Sequence, residues 1–83
     1  MINNKLKRLR SISGYSQKQI ADFLQISQPL YSQIEKGNRK IKTEKLERLC
    51  NLYCLTLQDF LNNDEEKLAE YLTRWYGNST YFQ

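Results

Sequence analysis

Residues 17–37 read QKQIADFLQISQPLYSQIEKG. One predicted helix start lies directly before this stretch, and a second lies within it. The first start is Ser16, which is followed three residues later by Gln19 in the pattern of a capping box. In such a box the serine hydroxyl accepts from the Gln19 backbone N–H, and the glutamine side chain bonds back to the serine N–H. We therefore expect a helix to begin at about residue 17. Its inward face is predicted to consist of Ile20, Ala21, Phe23 and Leu24.

The second helix start lies at Ser27. Serine is a strong N-cap. Pro29 is tolerated in the first turn that follows, because the N–H group that proline lacks would have no helical partner there. Gly37 suits the end of this helix, because glycine adopts the left-handed backbone without a side-chain clash. The pattern predicts a helix at residues 28–36. Its inward positions are Tyr31 and Ile34, and its outward positions are Gln28, Pro29, Ser32, Gln33 and Lys36.

Further helices are predicted on both sides of this segment, because apolar residues recur there every three to four positions. Three of these helices have an apolar stripe: Ile2, Leu6, Leu9 and Ile12; Leu46, Leu49, Cys50 and Tyr53; and Leu68, Tyr71, Leu72 and Trp75. A further, short helix is indicated by its cap, Thr56 with Asp59. No strand alternation is present, so the predicted fold class is all-α. We predict a compact five-helix domain at residues 1–62, a C-terminal helix at residues 63–76 capped by Asn63 and Glu66, and a flexible tail at residues 77–83.

The charges are divided unevenly along the 83 residues. Residues 1–48 hold eleven basic and four acidic side chains, whereas residues 49–83 hold two and five. Lysine and arginine gain affinity for DNA by releasing its condensed counterions, so the basic half suits a surface that faces phosphate. A basic face that is merely solvated would have the same composition, so charge alone leaves both interpretations open.

Several function classes lack their usual residues in this sequence. There is no histidine, no glycine-rich phosphate loop and no carboxylate pair with an evident general acid, so we expect no catalytic residue, cofactor or metal. Cys50 and Cys54 lie one helical turn apart without further ligand-type residues, which predicts two reduced thiols in the core or half-buried. No apolar run could span a membrane and no signal segment opens the chain, so we expect a cytoplasmic protein.

Residues 17–37 resemble the helix-turn-helix of the Cro and phage-repressor family, often called the XRE family. The matching residues are Ser16-Gln17 at the start, Ala21 at the helix crossing, Ile26-Ser27-Gln28 at the turn and Ile34-Glu35-Lys36-Gly37 at the end. The small Ala21 lets two helices approach at a steep angle. The resemblance covers roughly residues 2–61. It implies a sequence-specific transcriptional regulator of double-stranded DNA, with repression as the favoured role.

The resemblance also implies which residues contact an operator. The second motif helix lies in the major groove, and Gln28 is the first candidate because a glutamine amide can bond to both N6 and N7 of adenine. The predicted base contacts are Gln28, Pro29, Ser32 and Gln33. The predicted phosphate contacts are Gln17 and Ser27 at helix N-termini and Lys36, Asn38, Arg39, Lys40 and Lys42 in the loop that follows.

Two residues depart from the family pattern. Gln25 stands at the turn where the family usually has glycine, so we expect a positive φ at a cost of about 1 kcal/mol. Pro29 stands where the family usually presents a polar residue, which leaves an apolar contact, for instance with a thymine methyl group. Glu35 is acidic amid the basic surface, and we expect it to form a salt bridge within the chain, to Arg10 or a loop cation.

Two questions stay open at the level of sequence. The C-terminal stripe either folds back as core or forms a homodimer interface through Leu68, Tyr71, Leu72 and Trp75; a dimer would read two half-sites. The alternative function is an antitoxin or adaptor that mainly binds a partner protein such as a toxin. A DNA-binding antitoxin would satisfy both functions.

Overall fold

Six helices and no strands form the part of the chain that the structure describes. The structure is a computed structural model that describes the backbone of residues 2–79 and the side chains of residues 2–74. The helices are α1 (Ile2–Ser13), α2 (Gln17–Leu24), α3 (Gln28–Glu35), α4 (Thr43–Leu52), α5 (Leu57–Asn62) and α6 (Glu65–Ser79). The predicted all-α class is confirmed. None of these helices is both long enough and apolar enough to cross a membrane.

The starts of α2 and α3 are capped as the sequence predicted. Ser16 Oγ accepts from the Gln19 N–H at 3.0 Å, and Gln19 Oε1 accepts from the Ser16 N–H at 2.9 Å. Ser27 Oγ accepts from the Leu30 N–H at 3.2 Å, and Pro29 occupies the first turn. These bonds satisfy N–H groups that have no partner inside the helix, so each start is fixed by local sequence.

The end of α2 depends on a left-handed residue. Gln25 has a φ of 59°, as predicted, although it carries a side chain. Its N–H donates to the Asp22 carbonyl at 3.1 Å, and the Ile26 N–H donates to the Ala21 carbonyl at 3.0 Å. This pair of bonds is a Schellman motif, which requires the left-handed conformation and turns the chain toward α3.

The start and the end of α6 differ from the prediction. Asp64, one residue after the expected cap, accepts from the Lys67 N–H at 2.9 Å through Oδ1. Asn63 instead donates through Nδ2 to the Asp59 carbonyl at 2.8 Å and so closes the end of α5. The helix continues to Ser79, three residues beyond the predicted end at residue 76. Residues 80–83 lie outside the described part, and the flexible tail stays a prediction.

α6 completes the core. Leu68 and Leu72 are 2% and 0% exposed and belong to one apolar cluster with Leu6 and Leu9 of α1, along which α6 packs. The five helices predicted at residues 1–62 therefore do not form a complete core by themselves, because this face of α1 needs α6 to cover it. The cluster consists of Leu6, Leu9, Ile20, Ala21, Leu24, Tyr31, Ile34, Leu46, Leu49, Cys50, Tyr53, Leu55, Phe60, Leu68 and Leu72.

The burial of α6 corrects part of the predicted dimer interface. Leu68 and Leu72 have almost no surface to offer a second chain, so they take the core role that the sequence left open. Tyr71 is 39% exposed, and its hydroxyl donates to the Cys54 carbonyl at 3.2 Å. The side chain of Trp75 lies outside the described residues. The homodimer itself stays a prediction.

Two further burial predictions are wrong. Phe23 is 37% exposed, with the Arg48 guanidinium 5.2 Å from its ring centroid and Arg48 Nη2 donating to the Phe23 carbonyl at 3.2 Å. Cys54 is exposed and has a φ of 59°, whereas Cys50 is buried as expected. Burial, with a smaller contribution from the Glu47 carboxylate, raises the pKa of the Cys50 thiol to about 11.

Two lysines hold helix ends in place. Lys45 Nζ donates to the Leu24 carbonyl at the end of α2 at 2.8 Å. Lys5 Nζ donates to the Phe60 carbonyl in α5 at 2.8 Å and lies 5.3 Å from the Phe60 ring centroid. Cations are favoured at these positions because helix C-termini carry unpaired carbonyl groups and partial negative charge. Part of the basic charge in the N-terminal half is therefore structural.

Candidate nucleic-acid interface

α3 is buried along one side and polar along the other. Tyr31 and Ile34 are 0% and 4% exposed and anchor the helix in the core. On the other side, Gln28 and Pro29 are exposed, and Ser32 and Gln33 are half-buried. The four predicted base-contacting residues thus share the side of α3 that faces away from the core.

The α3–α4 loop carries the densest group of exposed cations in the described chain. Its charged side chains are those of Lys36, Arg39, Lys40 and Lys42, all exposed, with Asn38 exposed among them. None of these four cations has an ion-pair partner among residues 2–74. Like charges that stay unpaired on one loop repel each other and attract an anion, as a phosphate-contacting surface requires.

The turn from α3 into this loop is a second Schellman motif. Gly37 has a φ of 83°, and its N–H donates to the Ile34 carbonyl at 3.1 Å. The Asn38 N–H donates to the Gln33 carbonyl at 3.0 Å. A bond from Asn38 Nδ2 to Gln33 Oε1, 2.8 Å long, joins the side chains of the same two residues. The first residues of the loop are therefore fixed relative to the last turn of α3.

Arg10 and Glu35 form the ion pair that the sequence predicted. Arg10 Nε lies 2.7 Å from Glu35 Oε2, and Arg10 Nη2 donates to Glu35 Oε1 at 3.1 Å. Arg10 Nη1 also donates to the Tyr15 carbonyl at 3.0 Å. The side chain of Glu35 is only 3% exposed, so the pair ties the end of α3 to α1 from beneath the polar face. Two parallel bonds of this kind fix orientation as well as distance.

The surroundings of Glu35 keep it ionised. Burial by itself raises the pKa of the carboxyl group, but the hydrogen bonds from Arg10 and Gln17, with a smaller effect of the Tyr31 hydroxyl, outweigh burial and leave the pKa below its ordinary value of 4.5. Burial, followed by the interaction with Glu35, raises the pKa of the Tyr31 hydroxyl. The pKa of Arg10 is also raised, mainly by its hydrogen bond to Glu35.

Gln17 connects α2 to this network. Its Nε2 donates to Glu35 Oε1 at 3.0 Å, and its side chain is half-buried. The predicted phosphate contact thus has its amide nitrogen engaged within the chain, while its amide oxygen has no hydrogen-bond partner among residues 2–74. Neither the Gln17–Glu35 contact nor the Gln33–Asn38 contact was predicted from the sequence. The glycine at the end of α3 was the available signal for the second, because a Schellman motif brings the residue after glycine back to the third-last helical residue.

Comparison with known proteins identifies the family of this chain. Residues 3–66, from α1 into the first turn of α6, match the family model of a helix-turn-helix domain. The chain is 30% identical over 84 residues to the "SPbeta prophage-derived uncharacterized HTH-type transcriptional regulator YonR" of Bacillus subtilis (strain 168), a similarity that covers 86% of this chain and 78% of the relative. No solved structure is a significant match. The resemblance predicted from residues 17–37 is confirmed, and the chain belongs to the helix-turn-helix domain family of DNA-binding regulators.

Proposed function

We propose that this protein is a transcriptional repressor that binds a specific double-stranded operator with α3 in the major groove. The observation that carries the proposal is the polar side of α3. The opposite side of the helix is anchored in the core, and the C-terminal end of the helix leads directly into the unpaired cations at residues 36–42. A helix of this kind fits the major groove, while neighbouring cations bind the phosphates of the DNA backbone. The protein would therefore act where the DNA is, in the cytoplasm of a bacterial cell.

The first residues of α3 would read bases. Gln28 is exposed and has no hydrogen-bond partner among the described residues, so its amide is available for N6 and N7 of adenine. Pro29 beside it offers an apolar surface to a thymine methyl group. Ser32 and Gln33, one turn further, would meet the next base pairs.

Phosphates would be bound on both sides of these base contacts. Gln17 and Ser27 lie at the N-terminal ends of α2 and α3, where N–H groups and the helix dipole favour an anion. The Ser27 hydroxyl accepts from the Leu30 N–H and keeps its own hydrogen for a phosphate oxygen. The loop contributes Lys36, Asn38, Arg39, Lys40 and Lys42.

A homodimer is part of the proposal, because one helix-turn-helix unit reads few base pairs and two units read half-sites about one DNA turn apart. Two exposed apolar sites are candidates for the contact. One is Tyr71 on α6, and the other is a groove of about 660 Å³ near Ile41, where Leu61 is 48% and Ile2 is 41% exposed. Sedimentation of the parent, Leu61→Glu and Tyr71→Glu would distinguish them, since a charge in the true interface dissociates the dimer.

Selection from a randomised duplex pool, followed by fluorescence anisotropy at several salt concentrations, tests DNA binding. The parent is expected to select a defined sequence and to lose affinity steeply as salt rises. Gln28→Ala should relax selection at one base pair, at a cost of about 1–3 kcal/mol against the preferred base. Lys40→Ala, the matched control, should weaken binding to all sequences and reduce the salt slope by about one. The absence of both selection and salt-sensitive binding would reject the proposal in favour of a partner-protein function. Repression itself would be tested with a reporter gene carrying the selected operator, whose expression should rise when Gln28 is replaced.

A further inference from the structure

We propose that Asn38 sets the base preference of Gln33, so that Gln33 offers the major groove a hydrogen-bond donor. The inference rests on the proposed DNA-binding function and deepens it, because it assigns a specificity-determining role to a residue outside α3. Asn38 acts here as a positioning residue, since the base would be touched by Gln33.

The geometry places the two amides in a defined relation. The Asn38 backbone is held by its N–H bond to the Gln33 carbonyl, 3.0 Å long, within the turn at Gly37. From that fixed position Asn38 Nδ2 donates to Gln33 Oε1 at 2.8 Å. A glutamine amide without a partner rotates freely, but this one is held by Asn38, whose own backbone is fixed in the turn.

The bond leaves one polar group of Gln33 for DNA. Gln33 Oε1 is engaged with Asn38, whereas Gln33 Nε2 has no hydrogen-bond partner among residues 2–74. An amide nitrogen is a donor and never an acceptor. In the major groove, guanine presents acceptors at N7 and O6, adenine at N7 and thymine at O4, whereas cytosine presents only the N4 donor. On the strand that it faces, Gln33 should therefore accept guanine, thymine or adenine and reject cytosine.

Gln28 provides an internal comparison. It is the same residue type on the same helix, but no described residue orients its amide. Both its oxygen and its nitrogen stay available, which suits the bidentate contact to adenine. Two glutamines of α3 are thus expected to prefer different bases because only one of them has Asn38 beside it.

The decisive variant is Asn38→Asp. A carboxylate only accepts, so the Gln33 amide must turn to donate Nε2 to it, and Oε1 then faces the groove. Selection from the randomised pool should show the base rejected at the Gln33 position changing from cytosine to guanine and thymine, whereas adenine fits both orientations of the amide. The change should amount to about three- to tenfold in relative affinity, the range of one net hydrogen bond. Asn38→Ala keeps the backbone bond but frees the amide, so the preference at this base pair alone should weaken.

Controls separate this role from simpler ones. Asn38→Ala should have no effect on selection when combined with Gln33→Ala, because Asn38 acts through Gln33. The base preference at Gln28 should be unchanged in every variant, and melting temperatures should stay near that of the parent because Asn38 is exposed. An Asn38 variant that fails to fold would contradict the exposed setting on which the inference depends.

The outcomes distinguish this inference from the function on which it rests. A parent protein that selects no sequence would overturn the proposed function itself. A parent that selects a sequence, with Asn38 variants that keep every base preference, would overturn only the role of Asn38. Equal weakening on all sequences, as expected for Lys40→Ala, would also overturn it and leave Asn38 as a phosphate contact.

Discussion

Replacing Arg10 by methionine tests whether the ion pair beneath α3 stabilises the fold. The change removes both hydrogen bonds to Glu35, 2.7 and 3.1 Å long, together with the bond to the Tyr15 carbonyl. Glu35 would stay buried, with its side chain 3% exposed and with one remaining side-chain hydrogen bond, from Gln17 Nε2 at 3.0 Å. Breaking such a pair from one side costs about 3–5 kcal/mol, because an uncompensated charge is left in the interior. That is a large part of the 5–15 kcal/mol typical of a whole domain.

The assay is urea denaturation followed by circular dichroism at pH 7. Lys18→Met is the matched control, because it also breaks an ion pair to a carboxylate, Asp22, but both of those side chains are about 70% exposed. The control should lose no more than about 0.5 kcal/mol. If Arg10→Met loses less than about 1 kcal/mol, the reasoning about the buried pair is refuted.

The same variant makes a prediction about pH. In the parent, the pKa of Glu35 lies below its ordinary value of 4.5, so ionised Glu35 stabilises the fold above that pH. This stabilisation is lost as the pH falls through the folded-state pKa. In Arg10→Met, burial without the arginine raises the pKa of Glu35 above 4.5, so protonation relieves the unpaired charge. The stability difference between parent and variant should therefore narrow from pH 7 towards pH 4.5. A constant difference would mean that the charge of Glu35 is not its cause.

Three further predictions concern the turn, the last helix and the thiols. Gln25→Gly should stabilise the protein by up to about 1 kcal/mol, because glycine adopts a φ of 59° without strain, and a lower melting temperature would show that the turn is unstrained. Leu72→Ala should cost about 2–5 kcal/mol in urea denaturation, because the side chain is 0% exposed; an unchanged stability would mean that α6 is dispensable to the core. In the native protein, iodoacetamide should modify exposed Cys54 and spare Cys50, whose pKa is about 11, until urea unfolds the chain. Equal rates at the two thiols, measured by mass spectrometry, would contradict the burial of Cys50.

Most of the candidate site could be predicted from short-range patterns. The N-caps at Ser16 and Ser27 and the glycine at the end of α3 specify where the helices begin and end within a few residues, so periodicity suffices to separate the buried and polar sides of α3. The positive φ of Gln25 followed from its place in the turn. These features depend on backbone hydrogen bonds that span three to five residues, and a sequence contains all the participants side by side.

The sequence by itself therefore determined the all-α class, the two capped helices of the helix-turn-helix and the polar side of α3, because local capping and periodicity specify them. Only the tertiary structure decided that α6 belongs to the core, since an apolar stripe such as Leu68 and Leu72 looks the same whether it covers α1 or a second chain. Only the tertiary structure showed that Gln17 and Arg10 meet at Glu35. The physical reason is that burial and side-chain pairing depend on how helices distant in sequence pack together.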